Sequence, residues 1–538
     1  MKTIFYNGRI YTGTLPLQQA FAVENGKFLF AGSDHDTLSQ ADSGDSLVDL
    51  GGRFVCSGFN DSHMHLLSYG KALQAARLAE HTQSLKELVS YMAQFLKDYP
   101  VTGDGWLYGR GWNQDYFSDS NRMPNRWDLD QVSADVPVCA VRACGHCLVV
   151  NSKALEVLGV TGETAQPEGG SIGMDSGVPD GRFFDNAMQM VYDAIPVPDK
   201  EGLKDMIRLS CKALNAYGVT SCQTDDYCLY RAVPWQTVNE AYRELEASGE
   251  LTVRVNEQCN FTTLPELQEF VEAGNVTGVG SDYFRIGPLK MLGDGALGAR
   301  TAFLTRPYAD DPTTCGIPVF TQEVMDEMVD YANAHNMQVA IHAIGDACLD
   351  RVLHAIENAL AHCPREDHRH GVVHCQLSRP DQLEKIRDLK LHIYAQSIFL
   401  DYDNHIVEQR VGRELASTSY NWKTLMDWGV SVSNGTDCPV ELPDALAGIQ
   451  CAVTRTSLRD HVGPYLPDQA FSVQEALDSY TIRSAEASFE EGHKGRIAPG
   501  YLADFVVLEE NPFEVEADHI HEISVYGTWV SGKNVYKS

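Results

Sequence analysis

The sequence predicts an α/β protein: a (β/α)8 barrel with a large insertion after its first strand, and a small β-sandwich built from both chain ends. Strand-like segments alternate with amphipathic helical segments through the middle of the chain. Both ends are rich in short strands and turns instead. One connection in the alternating region is too long for an ordinary loop, which indicates an inserted subdomain.

Eight segments of the middle region have the length and composition of buried strands. Amphipathic helical stretches such as "LKDMIRLSCKALNAYG" separate most of them. Eight alternations of this kind are typical of a closed parallel barrel. In chain order the segments are "GRFVCSGF" from Gly52, "GVTSCQT" from Gly218, "LTVRVNEQC" from Leu251, "YFRIGPLKML" from Tyr283, "MQVAIHAIG" from Met337, "GVVHCQL" from Gly371, "LHIYAQS" from Leu391 and "VSVSNGTD" from Val430.

The predicted domain boundaries lie where short strands joined by turns give way to strands that alternate with helices. The sandwich is expected to use residues 1–57 and 481–538, where "GYLADFVVL" and "ISVYGTWVSGKNVYKS" consist of strands and turns with "SGKN" as a hairpin. The barrel is expected to cover residues 58–480, and the inserted subdomain about residues 70–198.

Charge and cysteine content limit the possible classes of function. The formal net charge is −32, from 42 basic and 74 acidic residues, which argues against nucleic acid or an anionic membrane as a partner. The N-terminus "MKTIFYNGRIYTG" has no apolar signal region, and no stretch of about 18 apolar residues occurs. The 14 cysteines of so long a chain are expected to be reduced and buried. We therefore expect a cytoplasmic protein whose partner is a small molecule.

Potential metal ligands stand at the carboxyl ends of several predicted strands, where the active sites of barrels lie. Two of them, His63 and His65, are separated by one residue, so strand alternation would direct both imidazoles into one space. Any one of these residues alone has a simple structural explanation, but the whole set is hard to obtain by chance. It predicts a metal held by imidazoles and a carboxylate. The set is His63 and His65 after strand one, Lys290 at strand four, His342 at strand five, His374 at strand six and Asp437 after strand eight.

The ordered motifs "GFNDSHMH", "LKMLGDGALGARTAFL", "AIHAIGDA", "VVHCQL", "SNGTDCPVE" and "GRIAPGYLADFVVL" resemble those of the amidohydrolase superfamily. Within it, they are similar to the YtcJ-like branch of amidohydrolase family 3, which contains the N-substituted formamide deformylases. The resemblance covers nearly the whole chain, including the β-rich ends and the insertion. The His-x-His pair alone is weak evidence, whereas the full ordered set is specific.

This resemblance implies a divalent metal site, with zinc as the expected ion and one or two ions per chain. Lys290 is implied to be an N-carboxylysine, because a carbamate offers two anionic oxygens where an ammonium group would repel a metal. The implied assignment is His63, His65 and Asp437 at the more buried ion, His342 and His374 at the second, and Lys290 as the bridge.

The implied reaction is hydrolysis of a C–N bond, in an amide or a formamide-like small molecule. A metal-bound water has its pKa lowered towards about 7, so that it can attack a polarised carbon at neutral pH. Asp437 would take the proton of this water and pass it to the leaving nitrogen. The predicted catalytic residues are therefore Asp437, Lys290 and His342.

Four further residues are candidates for substrate binding: His146, Trp112, Arg300 and Asp294. Three of them also have a structural alternative, because His146 could be a satisfied histidine, Trp112 a core residue of the insertion, and Arg300 a clamp on its own loop. Asp185 stands where the family commonly has a glutamate, which leaves its role open.

The segment "CGHC", Cys144 to Cys147, has the spacing of a dithiol redox motif. A reactive motif of this kind needs a helix N-terminus in a thioredoxin-like unit, whereas this segment runs into "LVVNSKAL". The family pattern matches Gly145, His146 and Asn151 here, so we interpret the two cysteines as incidental.

Four classes of function remain open from the sequence. The favoured one is a metal-dependent C–N hydrolase acting on bonds other than peptide bonds. A deaminase or another hydrolytic reaction on the same scaffold is the alternative, because a fold does not determine chemistry. A thiol-disulfide enzyme and a binding protein without activity are further possibilities. A homodimer is the base-rate expectation for the assembly.

Overall fold

The computed structural model describes residues 1–101, 103, 105–143, 146–167 and 169–538. The chain divides into two compact units. One comprises residues 1–69 and 207–538, and contains the barrel and the sandwich. The other comprises residues 70–206, close to the range expected for the insertion.

The larger unit contains an eight-stranded parallel sheet whose strands are hydrogen-bonded in chain order. The backbone N–H of Asp437 donates to the carbonyl oxygen of His63 at 2.9 Å, which joins the last strand to the first. The predicted (β/α)8 barrel is therefore confirmed. Barrel strands 1 to 8 are Phe59–Met64, Val219–Thr224, Arg254–Asn260, Phe284–Leu292, Val339–Ala343, Gly371–His374, His392–Ala395 and Val432–Asn434.

The first barrel strand was placed one segment too early by the sequence. Most of "GRFVCSGF" forms the strand Phe54–Ser57, which pairs with strands of the sandwich, and barrel strand 1 begins only at Phe59. Barrel strand 1, "FNDSHM", is completely buried although four of its six residues are polar, so its composition does not mark it as a buried strand. Gly58 separates the two strands where a Cβ would collide with the Thr220 side chain, so the chain passes from one sheet to the other at a point of close approach.

Helices cover the outside of the barrel. Two of them contain the boundaries between the units, Leu66–Leu73 and Lys200–Ala216. The others in the larger unit are Asp34–Leu38, Trp235–Ser248, Leu264–Glu272, Gln322–Ala334, Asp346–His362, Pro380–Asp388, Leu400–Asp403, Val407–Ala416, Trp422–Asp427, Ala445–Thr454, Val473–Ser479 and Ile482–Ala487.

Two sheets from both chain ends form the sandwich around an aromatic core. Phe5 and Phe21 of one sheet stack at 4.8 Å between ring centroids, and Phe505 and Trp529 of the other stack at 4.9 Å. Phe21 meets Phe505 edge to face at 5.0 Å. One sheet contains Thr3–Tyr6, Ala20–Glu24, Lys27–Gly32 and Ser46–Asp49, and the other contains Arg9–Ile10, Phe54–Ser57, Phe505–Leu508, Val525–Val530 and Lys533–Lys537.

The C-terminal part of the sandwich begins later than the expected residue 481. Residues Ile482–Ala487 form a helix, and the carbonyl oxygen of Ser484 accepts a hydrogen bond at 2.8 Å from the side chain of Gln223 on barrel strand 2. This helix therefore packs with the barrel, and strand pairing with the sandwich starts at Phe505.

The smaller unit has its own six-stranded sheet and hydrophobic cores. Its strands are Ala76–Arg77, Leu107–Trp112, Val138–Arg142, Cys147–Val150, Gly170–Asp175 and Val178–Asp185. Its helices, apart from the two at the boundaries, are Leu85–Asp98, Arg126–Leu129, Ser152–Leu158 and Met188–Ala194.

Candidate metal centre

Three of the predicted ligands meet where barrel strand 8 closes against barrel strand 1. One ligand atom from each of His63, His65 and Asp437 lies within 4.8 Å of the other two. Oδ1 of Asp437 is 2.9 Å from Nε2 of His65 and 3.4 Å from Nε2 of His63. Two imidazoles and a carboxylate form the three-ligand set typical of a catalytic zinc site that keeps one position open.

The buried ring of His63 is held in one orientation by Gln258, from barrel strand 3. Nδ1 of His63 lies 2.8 Å from Oε1 of Gln258, and the amide nitrogen of Gln258 donates to the carbonyl oxygen of Ser62 at 3.2 Å. Nδ1 therefore carries the proton, and Nε2 is left as the ligand atom. Burial, followed by the positive charge of Lys290, lowers the pKa of His63 well below its usual value. The imidazole is thus neutral, as metal binding requires.

His65 lies between two carboxylates. Its Nε2 faces Asp437, and its Nδ1 contacts Oδ1 of Asp225. Burial alone would lower the pKa of His65, but the neighbouring Asp225 carboxylate outweighs it, and the pKa is raised well above the usual value. Without a metal, an imidazolium supplies the positive charge between these carboxylates, and metal binding requires its Nε2 to lose that proton.

Lys290 is completely buried inside the barrel and has a counter-ion that the sequence interpretation did not include. Its Nζ lies 3.2 Å from Oδ2 of Asp225 and 3.4 Å from Nε2 of His63. Burial would raise the pKa of Asp225, but the charges of His65 and Lys290 outweigh it and lower that pKa. Asp225 therefore neutralises a cationic lysine at the place where only repulsive neighbours were expected.

His342 and His374 form an adjacent pair at the ends of barrel strands 5 and 6. Their ring centroids are 4.4 Å apart, and His374 is 5.8 Å from His63 by the same measure. Nε2 of His342 lies 3.2 Å from the carbonyl oxygen of Gly295 and 3.3 Å from Oδ1 of Asp294. All six predicted ligands thus lie at one end of the barrel.

The backbone of two predicted ligands has a conformation that is rare outside glycine. His374 has φ = 74° and Asp437 has φ = 58°. Such residues are found where surrounding structure holds a functional side chain in place. Burial, followed by the positive charges of His342 and Lys290, lowers the pKa of His374 well below its usual value.

The side chains present suit a divalent metal. Nδ1 of His374 is buried without a well-aligned hydrogen bond to another described residue. Together with the neutral Nε2 of His63 and the carboxylate of Asp437, this leaves donor atoms that gain a partner when an ion binds. These observations support a divalent metal site at this end of the barrel.

Two predicted substrate-binding residues hold the loop after barrel strand 4. The carboxylate of Asp294 accepts hydrogen bonds from the backbone N–H groups of Phe303, Ile344 and Gly345 at 2.8–3.0 Å. Arg300 donates from two nitrogens to Asp310, at 3.1 and 2.8 Å. These paired hydrogen bonds favour the structural alternative, in which Arg300 holds its own loop in place.

Trp112 is enclosed in the core of the smaller unit. Its exposure is 0%, and its indole N–H donates to the carbonyl oxygen of Ala140 at 2.9 Å. In this structure the ring has no surface available to a substrate, which favours the alternative of a core tryptophan.

His146 is exposed on the smaller unit, and its Nδ1 lies 3.0 Å from Oδ1 of Asp185. Both line an open depression with a volume of about 570 Å³, together with Asn186, Met188, Gln189 and Tyr192. Asn151 caps the helix Ser152–Leu158. Cys144 and Gly145 of the "CGHC" segment lie outside the described residues, and Cys147 is buried in a strand.

Sequence reasoning missed Asp225 and Gln258. Both stand at barrel strands whose ends carried no predicted ligand, Asp225 directly after strand 2 and Gln258 on strand 3. The signal for Asp225 was available, because "GVTSCQTDD" places two carboxylates at a strand end. Gln258 carried no comparable signal, since an amide in a buried strand has many structural uses.

Comparison with known proteins places these features in a family. A model of the amidohydrolase family matches residues 46–536, which is most of the chain. The chain belongs to the amidohydrolase family. This membership and the ligand geometry support a metal-dependent hydrolase acting on C–N bonds.

The similarity of this amidohydrolase to its relatives covers all or nearly all of the chain. It is 31% identical to YtcJ of Bacillus subtilis (strain 168) over 542 residues, 100% of both chains. It is 23% identical to the N-substituted formamide deformylase of Arthrobacter pascens over 524 residues, which covers 96% of this chain and 94% of that one. The crystal structure of an uncharacterized metal-dependent hydrolase from Pyrococcus furiosus superposes with a TM-score of 0.77 at 31% identity, covering 96% of this chain and 100% of that one.

In the part of this amidohydrolase that the structure describes, no helix is both long enough and apolar enough to cross a membrane.

Proposed function

We propose that this amidohydrolase hydrolyses the C–N bond of a small-molecule amide or formamide, in the cytoplasm, with one or two zinc ions per chain. The meeting of His63, His65 and Asp437 within 4.8 Å of one another carries the proposal. The name of the Arthrobacter pascens relative, an N-substituted formamide deformylase, supports a non-peptide amide as the substrate. A homodimer stays the expectation for the assembly.

In this proposal the protein side chains orient the ions and move the proton. A bound divalent ion lowers the pKa of water and polarises a carbonyl oxygen. Gln258 and Asp225 hold the rings of His63 and His65 so that Nε2 of each faces Asp437. Asp437 takes a proton from the attacking water and returns it to the leaving nitrogen, since its Oδ1 stands beside both rings. His342 and His374, at the ends of barrel strands 5 and 6, would hold the second ion.

The test is metal content together with turnover. We expect the purified wild type to contain one or two divalent ions per chain by elemental mass spectrometry, and to hydrolyse members of a panel of N-substituted formamides and acetamides. His63→Ala and His374→Ala should each lower metal content and activity. The matched control is His392→Asn, at the amino end of barrel strand 7, where a buried ring contacts Ser433.

Full metal loading in both His63→Ala and His374→Ala would remove the basis of the assignment. If these amides are not hydrolysed but ring amidines, tested as a second panel, lose ammonia, the deaminase alternative would be supported instead.

The proposal includes carboxylation of Lys290. Nζ lies 3.4 Å from Nε2 of His63, so an ammonium there would oppose a dication at close range. Once its ammonium has lost a proton, the Lys290 amine would add carbon dioxide with release of a second proton, and the resulting carbamate would offer two anionic oxygens to metal. The competing state is the observed ion pair with Asp225.

Two variants separate these states. Lys290→Ala should lose the second ion first and most of the activity, and acetate or propionate should partly restore both. Lys290→Arg keeps a cation for Asp225 but cannot form a carbamate, so we expect it to stay inactive. An active, metal-loaded Lys290→Arg enzyme, or the lack of a carbamate signal in carbon-13 NMR with labelled bicarbonate, would contradict carboxylation.

A further inference from the structure

Gln396 is the residue that barrel strand 7 directs towards the metal centre. It follows that strand directly and is completely buried. Tyr394, two positions earlier, shares a core cluster with Ala340, which lies two positions before His342 on barrel strand 5. Alternate residues of a strand face the same side, so Ala340 and Tyr394 lie on the inner face of the barrel, and Gln396 continues that face at the mouth.

Gln396 lies beside His374, one of the predicted metal ligands. Barrel strands 6 and 7 are neighbours, with Val373 paired to Tyr394, so the residues that follow these two positions lie close together. The carbonyl oxygen of Gln396 accepts a hydrogen bond of 3.0 Å from the N–H of Phe399, and the ring of Phe399 stacks on His374 with 5.7 Å between centroids. The turn that begins at Gln396 therefore packs against the imidazole of His374.

The side chains of Gln396 and His374 both have polar atoms that need a partner. Nδ1 of His374 and both amide atoms of Gln396 are buried, and none of the three has a well-aligned hydrogen bond to a described residue. Burial is the main cause that lowers the pKa of His374, whereas Gln396 shifts this pKa upwards, which is the effect of an acceptor that faces a ring N–H. Because unpaired buried polar groups are rare, the amide oxygen and Nδ1 are expected to be partners.

Another glutamine of the centre shows the same arrangement already formed. Oε1 of Gln258 lies 2.8 Å from Nδ1 of His63 and leaves Nε2 of that ring as the ligand atom. His63 and His374 are both buried, whereas His65, whose partner is a carboxylate, is partly exposed. A neutral amide sets the tautomer of a buried ring without adding charge, whereas a carboxylate would favour the imidazolium, which does not bind metal.

We propose that Gln396 is a positioning residue of the metal centre. Its amide oxygen accepts a hydrogen bond from Nδ1 of His374, which sets the tautomer of the ring and leaves Nε2 as the ligand atom. Gln396 then acts on the metal through His374 and touches neither the ion nor the substrate. This inference rests on the metal site of the proposed function, but not on the hydrolysis of a C–N bond.

Two variants test this hydrogen bond. Gln396→Met keeps the length of the side chain but removes the acceptor. Gln450→Met is the matched control, because Gln450 is completely buried and its Oε1 lies 2.7 Å from Nδ1 of His521, which is not a predicted ligand. Should Gln396→Met fail to fold, Gln396→Asn keeps the amide but withdraws it by one methylene group and gives the same comparison.

The first readout is the tautomer of His374, observed by NMR of metal-free protein that is labelled with nitrogen-15 in histidine. The signal of this ring is assigned by its absence from His374→Ala. We expect a proton on Nδ1 in the wild type and in Gln450→Met, and a shift towards a proton on Nε2 in Gln396→Met. A loss of stability alone would not change the tautomer.

The second readout is the affinity for zinc, measured in competition with a chelator. Gln396→Met should lower this affinity by about 10- to 100-fold, and Gln450→Met should leave it unchanged. Neither readout requires turnover of a substrate.

The outcomes separate this inference from the proposed function. A proton on Nε2 of His374 in the wild type, or the same tautomer in the wild type and in Gln396→Met, would overturn the inference even if the wild type hydrolyses amides. An affinity for zinc that is unchanged in Gln396→Met, or lowered equally in Gln450→Met, would also overturn it. The expected tautomers and affinities in a protein that hydrolyses no amide would support the inference and contradict the proposed reaction.

Discussion

At the scale of single residues, Asp225 connects a predicted metal ligand, His65, with the buried lysine, Lys290. One oxygen contacts Nδ1 of His65 and the other lies 3.2 Å from Nζ of Lys290. A carboxylate on the distal nitrogen of a metal-binding histidine sets the tautomer and makes the other nitrogen a better ligand. Asp225 therefore orients His65, a predicted metal ligand, and neutralises Lys290.

Asp225→Asn should lower the affinity for the metal by about 10- to 100-fold, and it should also lower the free energy of unfolding because the buried Lys290 loses its counter-ion. The amide keeps the shape of the side chain but loses the charge that orients His65. The measurement is metal retention against a chelator of known affinity, beside a melting curve. The control is Asp403→Asn, a buried carboxylate that contacts Gln376 and Tyr420. Equal metal retention in the two variants would show that Asp225 has no role in metal binding.

At the scale of elements, the site depends on how barrel strand 8 closes against barrel strand 1. Gly435 lies at this contact, where a Cβ would stand 2.5 Å from the backbone nitrogen of His63 and 2.8 Å from its carbonyl oxygen. Two residues later, the N–H of Asp437 donates to that same oxygen. The distance between these two ligands is thus set by backbone packing.

Gly435→Ala should separate the two strands, lower the free energy of unfolding by about 1–3 kcal/mol and weaken metal binding by about tenfold or more. Gly492→Ala is the matched control, because a Cβ at Gly492 meets nothing within 4 Å. Chemical denaturation and metal titration measure the two effects. If Gly435→Ala behaves like Gly492→Ala in both, close packing at this contact does not position the ligands.

At the scale of the whole larger unit, a buried ion pair ties the barrel to the sandwich. The guanidinium of Arg254, on barrel strand 3, donates from two nitrogens to both oxygens of Asp504, and one of them also donates to Ser531 at 2.8 Å. Burial would lower the pKa of Arg254, but Asp504 outweighs it and the pKa is raised. The sandwich therefore neutralises a charge that the barrel buries.

Asp504→Ala should lower the free energy of unfolding by about 3–5 kcal/mol, because it leaves a buried guanidinium without a counter-ion. Asp282→Ala removes an exposed partner 3.8 Å from Arg285 and should cost less than about 1 kcal/mol. Denaturation midpoints of both variants give the comparison. Similar midpoints would mean that barrel and sandwich are held together without this pair.

Local pattern was sufficient for the fold class and for the chemical types at the centre. Strand-helix alternation predicted the barrel because hydrophobic period and turn residues are local properties, and the carboxyl ends of parallel strands meet at one end of a barrel. That rule brought residues as distant in sequence as His63 and Asp437 into one expected site. In the structure, Nε2 of His63 lies 3.4 Å from Oδ1 of Asp437.

The tertiary structure alone decided the partners of those side chains. Barrel strand 1 is mostly polar although it is completely buried, so no hydrophobic pattern marked the division between sandwich and barrel at Gly58, where the chain packs closely against Thr220. The roles of Asp225 and Gln258 depended on which ring nitrogen each one faces, and no local pattern records such contacts across a barrel. The sequence by itself therefore determined which residue types gather at the barrel mouth. Packing determined which of them come together as candidate ligands, which hold those side chains in place, and which only hold the loops.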